Sequence, residues 1–83
     1  MVNQMTTTRP LHQIGAEIKK VWAKPYFGAI PYVNAMCELY SIDDSYGYDS
    51  ARSIVNYFLA NASTFKGEDA KRIKLELKAL LKQ

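Results

Sequence analysis

Few side chains in this 83-residue chain have types and spacing suited to covalent or metal chemistry. There is one cysteine, Cys37, and one histidine, His12. A disulfide needs a pair of cysteines and a structural zinc site about four Cys or His ligands, so neither forms within one chain. Cys37 lies among Ala35, Met36 and Leu39 and reads as a small buried hydrophobe with no base beside it. His12 falls at the start of an amphipathic segment, with no nucleophile in a recognisable relation to it. The glycines at 15, 28, 47 and 67 are isolated, which removes the glycine-rich loop that cradles phosphates. Asp43 and Ser45 begin like a calcium loop. Counted from Asp43, however, position five is Gly47, position six is Tyr48 instead of Gly, and position twelve is Ile54 instead of Glu. With no acid, base and nucleophile set, the expectation is a protein that is not an enzyme and takes no cofactor or metal.

The chemistry on offer is that of recognition. In Ser41–Asp49, three aspartates alternate with Tyr46 and Tyr48, and the chain holds six tyrosines. Tyrosine brings large contact area at low entropic cost, so Asp43, Asp44, Tyr46, Tyr48 and Asp49 are candidate partner-binding residues, suited to a basic protein surface. The competing reading folds these rings back over a small core. A second candidate is the row Lys71, Lys74, Lys78 and Lys82, which shares one side of the last helix and suits nucleic-acid phosphates or an acidic protein. Against it stands the ordinary role of such a row as a solvated face. Leu75 beside those lysines is either a contact residue or one of the single exposed apolar side chains common to protein surfaces. A helix-turn-helix is opposed by a long connector and by Glu68 and Asp69, which would meet DNA with the wrong charge.

Helices must position both groups. Leu11, Ile14, Ile18, Val21 and Trp22 fall within an arc of about 100° on a helical wheel, opposite Gln13, Glu17, Lys20 and Lys24. Pro10 suits the first turn and Pro25 disfavours helix at Lys24, giving a span of 10–24. Gly15, at the edge of the arc, either admits a close neighbour or is a surface glycine. A second helix starts between Gly28 and Pro31 and ends near Tyr40; it is apolar over about 200° and is therefore either central or shared with a partner. Asp49 or Ser50 caps a third, which carries Ala51, Ile54, Val55, Phe58, Leu59 and Ala62 at helical spacing and ends near Asn61. The fourth runs from Glu68 to about Lys82 on a stripe of Ala70, Ile73, Leu77, Leu80 and Leu81. The expected fold is all-α, a compact bundle of about four short helices over residues 10–83, behind a flexible N-terminal tail, 1–9.

Composition sets the frame. Hydrophobic residues at 48% and charged residues at 23% are ordinary for a globular chain, and a chain this short carries one core. No signal-peptide pattern and no run of 18 apolar residues occurs, which implies a cytoplasmic protein with no membrane partner. The net charge of +3 is a remainder. Residues 1–24 carry four bases against one acid, 25–61 one base against four acids, and 62–83 six bases against three acids.

The string from Tyr48 to Ala62, followed by Gly67-Glu68-Asp69-Ala70 and Ile73-Lys74-Leu75-Glu76-Leu77-Lys78, resembles small proteins of tailed bacteriophages that have no assigned activity. The resemblance runs from about residue 10 to the end and implies a setting, the cytoplasm of an infected bacterium, without catalytic residues. The combined expectation is a small binding protein that engages a host or phage protein through the acidic tyrosine-rich loop. The alternative is nucleic-acid binding through the lysine row, and a homodimer is compatible with the broad apolar arc of the second helix.

Overall fold

The first helix begins without a side-chain cap, because Pro10 has neither hydroxyl nor carboxylate to offer. In the computed structural model, which describes residues 9–83, its first donors are met from elsewhere in the chain. Leu11 N–H donates to the Tyr40 carbonyl at 2.9 Å and His12 N–H to that of Leu39 at 2.8 Å, so two otherwise orphaned groups are satisfied by a distant loop. Of the expected tail, only Arg9 is among the described residues. Its guanidinium pairs with Glu76 at 2.7 Å and Glu17 at 2.8 Å, tying the entry of the helix to the last helix.

Helix α1 spans Leu11–Val21, shorter than the expected 10–24. Pro25 disfavours helix only from Lys24 on, but the chain already turns at Trp22 (φ −98°, ψ 90°). This exit brings the indole flat against Phe65, with centroids 4.7 Å apart, and edge-on to Phe58 at 6.2 Å. A 3₁₀ turn, Phe27–Ala29, leads into α2, Ile30–Met36, with Pro31 in its first turn where no intrahelical donor is lost. Here too the helix stops before the expected end at Tyr40. Three-residue bonds from Glu38 to Ala35 and from Leu39 to Met36 tighten the last turn, and the Leu39 and Tyr40 carbonyls then face α1. The broad apolar arc of α2 is explained within the monomer, since the helix packs against both α1 and α3. At the α1–α2 crossing Gly15 is buried, and a Cβ there would lie 2.9 Å from Cys37 Sγ and 3.1 Å from the Cys37 backbone nitrogen. Gly15 is therefore a close-approach glycine, the first of its two readings.

The chain is not purely all-α. Ser45–Tyr46 (β1) and Asp49–Ser50 (β2) form an antiparallel pair, with Ser45 opposite Ser50 and Tyr46 opposite Asp49. Alternation over two residues is too short to register as a strand pattern, and the turn chemistry at Gly47 decides the matter. Helix α3 follows directly as Ala51–Ala60, and α4 spans Glu68–Leu81, packing on α1 and α3. Ser50 is the cap of α3: its hydroxyl accepts from Ser53 N–H at 3.1 Å.

One core joins all four helices. Leu11, Ile14 and Ile18 of α1, Val33 and Met36 of α2, Ile54, Val55 and Phe58 of α3, and Ile73, Leu77 and Leu80 of α4 are buried in it, as the periodicity predicts. The loops add Ile42 and Phe65, which no helical pattern marks. Among the described residues no polar or charged side chain is buried, so the interior carries no titratable group. No described helix is long and apolar enough to cross a membrane.

Candidate functional site

The acidic tyrosine-rich segment forms the hairpin and the turn that leads into it. Gly47 has φ +63° and Tyr48 an ordinary negative φ, so the left-handed position falls on the first of the two loop residues, as in a type II′ turn. Only glycine takes that position without strain. The consequence is a sharp tip that places Tyr48 wholly in solvent, its exposure reaching the 110% of an open reference residue. Tyr46 is 39% exposed on the adjoining strand, and Asp49 is exposed. These rings do not fold back over the core.

The five candidate residues separate by role. Asp44 builds the base of the hairpin: its carboxylate accepts from Ser41 N–H at 2.9 Å and Tyr40 N–H at 3.0 Å. Those two bonds, Ser41 first, hold its carboxyl below the usual range. The Asp44 carbonyl accepts from Ala51 N–H at 2.8 Å, fastening the hairpin to α3. Asp43 pairs with Arg52 at 3.1 Å, and the same guanidinium donates to the carbonyls of Leu81 at 3.0 Å and Gln83 at 2.8 Å. Tyr46, Tyr48 and Asp49 are thereby left as the outward group on an anchored frame, and Asp49 has no ion pair among the described residues.

The lysine row is brought together in part. Lys71, Lys78 and Lys82 are exposed, while Lys74 is half-buried with its ammonium 5.8 Å above the Phe65 ring centroid. Burial, then the charges of Lys78 and Lys66, lower the Lys74 pKa. Lys66 is an addition: it shares a shallow groove at the start of α4 with Lys71 and Lys74. Its position in a connector hides it from any reading of helix faces. The arginines are engaged otherwise. Arg72 pairs with Glu17 and with Asp69 at 3.2 Å, so Glu17 stands between Arg9 and Arg72. Hydrogen bonding to Arg72, then to Arg9, outweighs desolvation and lowers the Glu17 pKa. Leu75 remains 63% exposed in a charged setting of Lys71, Arg72 and Glu76.

A third surface escapes the sequence pattern. Tyr26, Phe27 and Ile30 are 44%, 76% and 40% exposed beside a groove of about 240 Å³ between α1 and α2. The run before Pro31 reads as a lead-in to a helix, and only the 3₁₀ turn shows that these side chains point outward. His12 stands near Tyr40, with ring centroids 5.9 Å apart, and Cys37 is half-buried against α1. No group of three or more metal-ligating side chains occurs among the described residues. No family model, curated protein or solved structure matches the chain.

Proposed function

We propose that this is a small non-enzymatic binding protein that docks a protein partner through the tip of its hairpin. The observation that carries the proposal is the complete exposure of Tyr48 beside Tyr46 and Asp49, on a hairpin whose base is fixed by Asp44, Arg52 and the start of α3. An exposed aromatic on a preorganised turn loses little entropy on binding, and a neighbouring carboxylate favours a basic partner surface. The resemblance to small phage proteins gives the proposal its setting, a host or phage protein in the bacterial cytoplasm. The test is affinity capture from a nuclease-treated bacterial lysate with the parent chain and with Tyr46→Ser, Tyr48→Ser and Asp49→Ser combined. Asp43 and Asp44 are kept because they support the hairpin. The expected result is loss of the captured protein at an unchanged melting temperature; undiminished capture would overturn the proposal.

A second reading is favoured by one observation, the convergence of Lys66, Lys71 and Lys74 on a groove whose one acidic lining residue is Glu68, with none of the three lysines ion-paired among the described residues. It assigns nucleic-acid phosphates to this face together with Lys78 and Lys82. Phosphate contacts make affinity fall steeply with salt, so this reading expects a mobility shift with DNA or RNA at about 50 mM salt that disappears by about 200 mM. An absent shift at the lower concentration excludes it.

A further inference from the structure

The apolar groove and the hairpin lie toward different ends of α1. The hairpin adjoins the start of α1, where Leu11 N–H meets the Tyr40 carbonyl, and the groove adjoins its end at Trp22. Ile18, where the groove begins on α1, lies about 10 Å along the helix from Leu11, and Tyr48 is wholly exposed, so the chain's own tip does not occupy its own groove. The groove has an apolar floor of Ile18, Trp22, Ile30 and Val33, with Lys19 on its wall and no acidic residue lining it. Lys19 and the neighbouring Lys24 are exposed and have no ion pair among the described residues. A cavity of about 150 Å³ takes a benzene ring, so 240 Å³ admits one tyrosine.

We infer that the occupant is the hairpin tip of a second copy of this chain. The Tyr48 ring would enter the groove over Ile30, and Asp49 would face Lys19 and Lys24. The inference rests on the reading of the tip as a docking element. Two charge patterns favour it over a symmetric groove-to-groove dimer. Facing grooves would oppose lysine to lysine, whereas tip and groove carry opposite signs. A contact between different patches adds copies head to tail unless the rotation between them closes a reciprocal pair or a ring.

The test uses the purified full chain. Sedimentation equilibrium in low salt covers about 10 μM to about 1 mM, the range suited to so small an interface. The expected average mass rises above that of a monomer with concentration and falls when salt is added. Tyr48→Ser with Asp49→Ser removes the tip, Lys19→Glu with Lys24→Glu reverses the rim, and each variant alone is expected to be a monomer. Mixed in equal amounts they provide one intact tip and one intact groove, and a heterodimer with nothing larger is expected. A parent chain that stays monomeric throughout overturns the inference, as does a mixture that forms no heterodimer. Lysate capture that survives in either case leaves the tip as a docking element for another protein, so the two failures are distinguishable.

Discussion

Gly15 shows how one missing methyl sets the distance between two helices. In an open helix, replacing glycine by alanine gains up to about 1 kcal/mol. Here the added Cβ meets backbone at 3.1 Å and the side chains of Cys37 and Met36, and overpacking of that kind costs about 1–3 kcal/mol. Gly15→Ala is therefore expected to lower stability by about 1 kcal/mol or more, as a reduced midpoint in urea. Glu17 gives a prediction in pH. Its carboxyl titrates below its ordinary 4.5 in the folded protein, so the folded state favours the charged form. That stabilisation is complete above about pH 4.5 and disappears as pH falls through the lower folded value. Glu17→Gln should reduce stability at pH 7 by about 1 kcal/mol, allowing for the exposure of its partners, and the difference from the parent should shrink toward pH 3. At this scale the sequence announces some roles and withholds others. The run of acids and a glycine marks a turn but leaves open whether Tyr46 and Tyr48 face solvent or cover the core, and the division between Asp44 as support and Asp49 as free carboxylate depends on backbone N–H groups that have no sequence signature.

Helix faces are the part of the fold most readable from spacing. The stripes of α1, α3 and α4 are buried almost residue for residue because a period of 3.6 leaves little choice of inward face. Helix ends are less readable, since they answer to distant partners: α1 stops so that Trp22 can reach Phe65, and α2 stops so that two carbonyls can reach α1. The hairpin depends on pairing between two-residue strands, below the length at which alternation carries information. Where a cap is local the sequence narrows it, here to Asp49 or Ser50, and the hydrogen bond to Ser53 N–H selects Ser50. Ser50→Ala removes the acceptor of Ser53 N–H and is expected to cost about 1 kcal/mol, while Ser50→Gly should cost only a few tenths. Since 1 kcal/mol moves the melting temperature of so small a domain by about 4–8 °C, thermal unfolding separates the two variants.

The whole molecule sorts its charges by use. Arginines and glutamates knit α1 to α4, Arg52 joins the hairpin to the end of α4, and the lysines have no ion pairs among the described residues. Salt should therefore act on association more than on stability, because exposed charges a Debye length apart are screened first. The connector between α3 and α4 contributes to the core as well, for Phe65 is buried against both Trp22 and Phe58. Phe65→Ala is expected to cost about 3–5 kcal/mol and to leave the chain close to unfolding at room temperature, which circular dichroism would register. Trp22 is the chain's single tryptophan, and it both stacks on Phe65 and forms part of the floor of the groove between α1 and α2. Its emission is thus a built-in optical probe with no background from another indole: a red shift reports the loss of the aromatic stack, and a change in quenching without a shift reports a body seated in the groove.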